Sequence, residues 1–253
     1  MPRVISYNVA YTTGMDGSIL GYSKLWRNIF PSPKIDLRII DALAEYQPDI
    51  LGLLEVDSGS IRAGRKSEAK NFSKKLNYKG IIEVCKYDPH SMLGVLSKLP
   101  IFKFQTNALL SRYELYEMKY HWLSHGMKRL VIQASFNCPQ KVTLFVVHLA
   151  LGKGIRQKQL DELTIILQRV QAPMIVMGDM NTFGGHSELH GLIARTELVR
   201  GPTLKSGPTF PSYKPEKVLD YILTTKEIEV TRYEVLPVAF SDHLPVLMDF
   251  KVS

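Results

Sequence analysis

The sequence predicts an α/β sandwich, in which two β-sheets pack face to face beneath outer helices. Short apolar runs rich in β-forming residues recur along the chain, and segments of helical period separate some of them. Glycines and prolines are scattered between these runs rather than pooled in a linker. A doubly wound parallel sheet, the alternative, would need strands and helices to alternate more regularly than they do here.

Eight apolar runs are predicted strands because each combines β-branched or large apolar residues between turn-forming positions. They are residues 3–8, 50–56, 93–98, 129–136, 142–149, 174–178, 218–224 and 245–251. One helix is predicted over residues 36–46, where Ile40 and Leu43 share an apolar face and Pro48 ends the helix. A second helix is predicted over about residues 156–170.

The composition is that of a globular protein with a basic surface. Of the 253 residues, 45% are hydrophobic and 22% are charged, and 32 Lys and Arg against 24 Asp and Glu give a net charge of +8. This charge favours a polyanionic partner. No internal repeat or low-complexity tract divides the chain, so we predict one domain spanning residues 1–253 and expect a monomer.

Several protein classes are disfavoured by what the sequence lacks. The longest apolar stretches, such as 144–147 and 174–177, are far shorter than the roughly 18 residues of a transmembrane helix. The first residues do not resemble a secretion signal, which favours the cytoplasm, although a mature chain that had lost its leader would read the same. Cys85 and Cys138 form no CxxC pair, which disfavours a disulfide-stapled fold and a cysteine-rich zinc site.

Polar residues of catalytic type end or interrupt six of the apolar runs. They are Asn8, Glu55, His148, the pair Asp179 and Asn181, Asp220, and the pair Asp242 and His243. One such residue often only marks the point where a strand meets solvent. Because ligands gather at one set of strand ends in α/β sheets, six such positions predict side chains that converge on one site.

The chemistry of this set favours a hard divalent cation. Four carboxylates and two amides supply oxygen ligands, which suit Mg²⁺ or Mn²⁺ better than zinc. Crowded carboxylates repel each other unless a cation neutralises them. The two histidines could carry protons or donate hydrogen bonds to a phosphate.

The same residues resemble a known family. The runs SYNV (6–9), LLEVD (53–57), VHL (147–149), GDMN (178–181), LDYI (219–222) and SDHLP (241–245) are similar to the ordered signature of the endonuclease/exonuclease/phosphatase superfamily. The resemblance spans residues 3–250, and VLSKLPI (95–101) is similar to a further strand of that family. The residues from His148 to Gly152, with Arg156 and Gln159, resemble the bacterial metal-dependent hydrolase branch.

The resemblance implies a four-layer sandwich of two mainly antiparallel sheets flanked by helices. It also implies Mg²⁺- or Mn²⁺-dependent hydrolysis of a phosphoester by in-line attack of water. The implied roles are metal ligation by Asn8, Glu55 and Asp242, orientation of the water and phosphoryl oxygens by Asp179 and Asn181, an acid–base pair of Asp220 and His243, and donation to a non-bridging oxygen by His148. Which carboxylate or imidazole acts as the base stays open.

Two departures from the family pattern concern the substrate. The family often has Gly-Asn-Ala where this chain has Met92-Leu93-Gly94. No Tyr-x-Pro-Asn element, which the repair endonucleases of the superfamily carry, lies between Ile101 and Leu130. A role in abasic-site repair is therefore not expected.

A basic segment follows Glu55 and is a candidate substrate-binding element. Residues 61–80 contain seven Lys or Arg residues and one Glu. We expect Arg62 and Arg65 to hold substrate phosphates, since arginine suits bidentate contact. Ordinary helix surface is the alternative and better describes the lysines of this segment.

Two other patterns leave alternatives open. Residues 107–127 interleave aromatic and basic side chains, which could stack nucleobases or lie among lipid headgroups, or could be a sheet edge and its connecting loop. His186 and His190 have the spacing of a helical zinc pair, but Gly184-Gly185 before them favours a helix start.

Two classes of function remain. The first is a phosphodiesterase, with nucleic acid slightly favoured over phospholipid, inositol phosphate or sugar phosphate as the substrate because of the basic charge. The second is a non-catalytic basic module that docks on anionic lipid or RNA, which has no need for the complete set of polar residues.

Overall fold

A computed structural model describes residues 1–18, 34–87, 102–171, 173–200 and 207–252 of the chain. Within these residues there are twelve strands: β1 (Arg3–Asn8), β2 (Ile50–Asp57), β3 (Gly80–Cys85), β4 (Gln105–Ser111), β5 (Tyr116–Trp122), β6 (Leu130–Asn137), β7 (Lys141–His148), β8 (Met174–Asp179), β9 (Val199–Arg200), β10 (Asp220–Thr224), β11 (Ile228–Val235) and β12 (Val246–Val252). The helices are α1 (Ile35–Ala44), α2 (Glu68–Leu76), α3 (Lys153–Leu167) and α4 (His190–Thr196).

The strands form two sheets of six. Sheet A has the order β11-β12-β1-β2-β4-β3, and sheet B has the order β5-β6-β7-β8-β10-β9. Two pairs are parallel, β1 with β2 and β7 with β8, and the other neighbours are antiparallel. Each parallel pair lies inside its sheet, where both faces of the strands are covered.

Three apolar cores separate the four layers. Alternate residues of both sheets, such as Val4 and Val146, meet between the sheets. The opposite face of sheet A packs on α1 and α2, and the opposite face of sheet B packs on α3 and α4. The predicted four-layer sandwich of mainly antiparallel sheets is therefore confirmed.

Most predicted elements are present, with ends that differ from the prediction by no more than three residues. The predicted run 93–98 lies outside the described residues. The other seven runs correspond to β1, β2, β6, β7, β8, β10 and β12, and both predicted helices are present as α1 and α3. Strands β3, β4, β5, β9 and β11 were not predicted. Among the described residues, no helix has the length and apolarity needed to cross a membrane.

Candidate active site

The predicted polar residues lie at one end of the sandwich. Asn8, His148 and Asp179 end β1, β7 and β8, and His148 is in register with Asp179. Asp220 begins the antiparallel strand β10, opposite Asp179. The parallel strands β1, β2, β7 and β8 all finish at this end of the sandwich, and the antiparallel strand β10 begins there. Residues far apart in sequence therefore meet at this end.

A β-bulge aims Glu55 into this end of the sheet. The pairing of β2 with β4 slips between Leu53 and Val56, and Glu55 has a left-handed φ of 54°. Its backbone N–H donates to Oδ1 of Asn107 on β4, at 3.2 Å. The bulge thus turns the Glu55 side chain out of the regular alternation, and the buried Asn107 side chain satisfies its N–H.

Two ammonium groups surround the Glu55 carboxylate. Its Oε1 lies 3.2 Å from Nζ of Lys128 and 3.9 Å from Nζ of Lys86. Burial alone would raise the pKa of Glu55, but these lysines outweigh it and lower the pKa to about 2. Glu55 is therefore an ionised carboxylate at neutral pH. Neither lysine was identified from the sequence.

Lys86 is held in place by an aromatic residue. Its ammonium donates to the hydroxyl of Tyr11 and lies 4.8 Å from the centre of that ring. Burial lowers the pKa of Lys86 to about 8, with the nearby Glu55 carboxylate acting in the opposite direction. Lys86 is a fixed neighbour of Glu55 rather than a mobile surface cation.

Asp179 connects the two sheets. Its Oδ2 accepts from Nδ2 of Asn8 at 3.2 Å and lies 3.4 Å from Nε2 of His148. Its Oδ1 accepts from the backbone N–H of Asn181 at 2.9 Å, and the Asn181 amide in turn donates to the Leu149 carbonyl. Burial would raise the pKa of Asp179, but His243 and His148 lower it below its usual range.

A glycine precedes Asp179 for a steric reason. Gly178 has φ of 142°, and a Cβ there would collide with the carbonyl oxygen of Val147 on the parallel neighbour. Only glycine allows β8 to approach β7 this closely at the point where both strands deliver site residues.

Asp220 and His243 form a buried pair. Nδ1 of His243 lies 2.7 Å from Oδ2 of Asp220, and the hydroxyl of Thr209 donates to the same oxygen at 2.6 Å. Burial would lower the pKa of His243, but Asp220 and Asp179 raise it to about 10. The other ring nitrogen of His243 is 3.9 Å from Oδ2 of Asp179. The carboxylate therefore fixes which nitrogen of His243 faces the site.

The donor set fits a hard divalent cation. Glu55, Asp179 and Asp242 present carboxylate oxygens to the same region, and burial raises the pKa of Asp242. Oδ1 of Asp220 is buried and makes no hydrogen bond to any described residue. The tightest group of potential ligand atoms is that of Asp179, Asp220 and His243, within 4.8 Å of one another, although two of these three residues are engaged in the Asp–His pair.

The structure differs from the expectation for Arg62. Its guanidinium is buried, lies 2.7 Å from Asp57 and 3.7 Å from Glu68, and also donates to the carbonyl of Tyr11. An arginine with these partners is not free to bind a substrate phosphate. Arg65 is exposed in the same loop, so a role in substrate binding stays a prediction for Arg65 alone.

The structure also shows where the aromatic and basic segment 107–127 and the pair His186 and His190 lie. Residues 107–127 form most of β4, the edge strand β5 and the loops beside it, and Tyr113 stacks on Phe136 at 5.4 Å. His186 begins a short 3₁₀ turn that leads into α4 at His190, as the helix-start interpretation predicted.

Four residues at the site were missed by sequence reasoning. They are Lys86, Asn107, Lys128 and Thr209. They lie in turns, in a loop or on an unpredicted strand, outside the apolar runs that the sequence predicts as strands. Thr209 directly follows Gly207-Pro208, a turn signal that indicates a loop but does not reveal the hydrogen bond to Asp220.

Comparison with known proteins identifies the family. The sequence model of the endonuclease/exonuclease/phosphatase family matches residues 5–243 of this chain. The chain belongs to this family. No curated protein sequence matches it.

Several solved structures share the fold of this chain, although their sequences are no more than 20% identical to it in the three cases below. An endonuclease/exonuclease/phosphatase from Beutenbergia cavernae DSM 12333 is 19% identical, with a TM-score of 0.76 over 100% of this chain and 72% of that one. A mannosyl-6-phosphatase from Bacteroides thetaiotaomicron VPI-5482 is 17% identical, with a TM-score of 0.70 over 99% and 100%. The human Nocturnin catalytic domain with bound sulfate is 20% identical, with a TM-score of 0.66 over 100% and 94%.

Proposed function

We propose that this chain hydrolyses a phosphoester with the help of Mg²⁺ or Mn²⁺. The observation that carries the proposal is the meeting of buried carboxylates from both sheets with the Asp220–His243 pair, whose nitrogen and oxygen are 2.7 Å apart. A binding scaffold would gain nothing from burying these charged groups, because their desolvation is costly.

Asn8, Glu55 and Asp242 are the residues that would hold the cation. When bound, the ion supplies positive charge that neutralises the phosphoryl oxygens. Asp179 and Asn181 lie next to one another at the end of β8 and orient the attacking water by hydrogen bonding. The chain thus provides both the ligands and the positioning groups.

The two histidines have different electrostatic surroundings and therefore different roles. Burial and the nearby Lys128 ammonium lower the pKa of His148 to about 4, whereas carboxylates raise that of His243 to about 10. His243 is a protonated donor at neutral pH, and His148 is neutral. Pairs of titratable groups whose pKa values are pushed apart are typical of acid–base sites.

Nucleic acid is the substrate class we favour, on the basis of the net charge of +8. A small phosphoester is the second candidate, and the likeness to a sugar phosphatase, at 17% identity, shows only a shared fold. We further propose that the chain acts as a monomer in the cytoplasm.

A substrate panel with matched metal conditions tests this function. Duplex DNA, single-stranded DNA, RNA, phospholipid vesicles, inositol phosphates and sugar phosphates are each incubated with Mg²⁺, Mn²⁺, Ca²⁺ or EDTA. We expect turnover with Mg²⁺ and Mn²⁺ and little with Ca²⁺, whose longer bonds and looser coordination misplace the reacting oxygens. Hydrolysis of no substrate, or equal hydrolysis in EDTA, would overturn the proposal.

Salt dependence separates the two substrate classes. Binding through several backbone phosphates weakens steeply as the salt concentration rises, whereas binding of a small phosphoester changes little. A KM for nucleic acid that hardly responds between low and physiological salt would favour the small phosphoester.

A further inference from the structure

We propose that Lys128 competes with the divalent ion for the Glu55 carboxylate and so weakens the metal affinity of the site. This inference rests on the proposed metal-dependent function and goes beyond it, because it assigns a role to a residue outside the ligand set. It also makes a loop lysine, rather than the metal ligands themselves, a determinant of metal affinity.

The ammonium of Lys128 bridges the two sheets. It lies 3.2 Å from Oε1 of Glu55 on β2 and 2.6 Å from Nε2 of His148 on β7. Lysine is positively charged at neutral pH, and the Glu55 carboxylate gives this ammonium an acidic partner. The group is therefore a full positive charge among the residues that would bind a metal.

A buried glutamine holds the backbone of Lys128 in position. Nε2 of Gln159 donates to the carbonyls of His125 and Lys128, at 2.6 and 2.7 Å. Its Oε1 accepts from the backbone N–H of Ala150, two residues after His148, at 2.8 Å. These bonds tie the loop of Lys128 to the end of β7, so the approach of its ammonium to the site is built into the fold.

The ammonium of Lys128 can move away from the Glu55 carboxylate more easily than the ammonium of Lys86 can. The side chain of Lys128 is 22% exposed, against 6% for Lys86, which is also bonded to Tyr11. A lysine side chain is long and flexible, so its ammonium can move toward solvent while the backbone stays fixed. Lys86 remains as the permanent partner of Glu55.

A divalent ion and this ammonium oppose each other at Glu55. Both are cations that compete for one carboxylate, and like charges a few ångströms apart repel strongly in a site with little water. Metal binding must therefore displace Lys128, and the cost of that displacement weakens the observed metal affinity.

Displacement of Lys128 also changes what His148 can do. An ammonium can only donate, so while Lys128 is bonded to Nε2 of His148, that nitrogen accepts. Once Lys128 leaves, Nε2 can carry a proton and donate to a substrate oxygen. The position of Lys128 thus determines the hydrogen-bonding role of His148 as well as the charge beside Glu55.

Titration calorimetry with Mn²⁺ on the metal-free protein tests the inference. Lys128→Met should bind Mn²⁺ at least about tenfold more tightly than the parent, because one opposing charge is gone. The same variant should melt at a lower temperature without metal, since Glu55 has lost a partner. Lys128→Arg, which keeps the charge, should bind Mn²⁺ within about threefold of the parent.

A matched control separates this effect from net charge. Lys226→Met removes one charge from a side chain that is 74% exposed and lies outside the site, so its Mn²⁺ affinity and melting temperature should equal those of the parent. Lys128→Gln, which is polar and neutral, replaces Lys128→Met in the titration if the latter is unfolded at the assay temperature.

The outcomes distinguish this inference from the proposed function. A parent protein that binds Mn²⁺ and shows metal-dependent turnover, together with unchanged or weaker Mn²⁺ binding by Lys128→Met, overturns the inference and leaves the function intact. A parent that neither binds Mn²⁺ nor hydrolyses any phosphoester overturns both.

Discussion

The side-chain oxygen of Asn107 accepts the backbone N–H of Glu55 across the gap between β4 and β2, at 3.2 Å. The two residues face each other at the bulge, where the regular pairing of the strands is interrupted. Because the bond fixes the backbone of Glu55, it also fixes the direction of the carboxylate. Asn107 is in this sense a positioning residue for a candidate metal ligand.

We predict that Asn107→Leu weakens Mn²⁺ affinity by about 10–100-fold, the usual effect of removing a group that orients a ligand. The buried N–H of Glu55 would lose its partner, at a cost of about 1–3 kcal/mol in the free energy of unfolding. Calorimetric titration and urea unfolding measure the two effects. Asn137→Leu, at the exposed end of β6, is the control, and equal Mn²⁺ affinity in both variants would contradict this role.

Glu55→Gln should keep the fold and lose most metal-dependent activity, because a neutral amide is a far poorer Mg²⁺ ligand than a carboxylate. Circular dichroism checks the fold, and initial rates at several Mg²⁺ concentrations check the activity. Glu229→Gln, on an exposed position of β11, should behave as the parent. Parental turnover and parental metal affinity in Glu55→Gln would remove Glu55 from the metal site.

Asp220 and His243 should act as one unit. His243→Ala and Asp220→Asn should each reduce kcat by about 10²–10⁴-fold, and the double variant should be little worse than His243→Ala. The physical reason is the bond of 2.7 Å between the two side chains, through which Asp220 orients the imidazole of His243. Rates measured at saturating substrate test this, and fully additive losses would show that the two residues work separately.

Arg62 and Arg65 should respond to substitution in different ways. Arg62→Ala leaves Asp57 and Glu68 buried without their cation and should lower the free energy of unfolding by about 3–5 kcal/mol. Arg65→Ala should keep the stability of the parent and raise KM more than it lowers kcat, as loss of a phosphate contact does. Urea unfolding and steady-state kinetics separate the two. A stable Arg62→Ala variant with only a raised KM would return Arg62 to the substrate site.

Glu68 should make stability depend on pH. Burial raises its pKa from 4.5 to about 7 in the folded protein, against the opposing effect of Arg62. The folded state thus holds this proton more tightly than the unfolded chain, so its contribution is fully present below pH 4.5 and is lost as the pH rises to about 7.

The difference between parent and Glu68→Gln isolates this contribution. Between pH 4.5 and pH 7, the parent should lose up to about 3 kcal/mol that Glu68→Gln retains. Urea unfolding across this range measures it, with the exposed Glu114→Gln as the control that should follow the parent. Parallel pH profiles for parent and Glu68→Gln would show that Glu68 does not titrate in this window.

The sequence predicted those parts of the fold and site that follow from local patterns. The interior strands β1, β2, β7 and β8 are nearly continuous apolar runs because both of their faces are covered, and such runs stand out. Asn8, Glu55, His148 and Asp179 lie at or near the ends of these strands. Their convergence follows from the rule that ligands gather at one set of strand ends.

The missed parts depend on partners that are distant in sequence. Most residues of β5 are exposed, and β11 carries a register shift between Val230 and Arg232, so neither has the pattern of a buried strand. Lys128 reaches the site because Gln159, 31 residues later, holds its loop. A basic residue such as Arg62 is usually solvated, and only the fold shows that it is enclosed by acidic residues.

The position of β12 between β11 and β1 has a consequence for how the protein is made. During synthesis β1 emerges before β12, and the edge of β1 that β12 covers stays open until Arg3 can pair with Asp249. Open strand edges invite pairing with other chains, so a partly synthesised chain is exposed to such pairing until β12 emerges. Asp242 and His243 lie four and three residues before β12, and a nascent fragment therefore gains the last part of its site in the same step that closes its sheet.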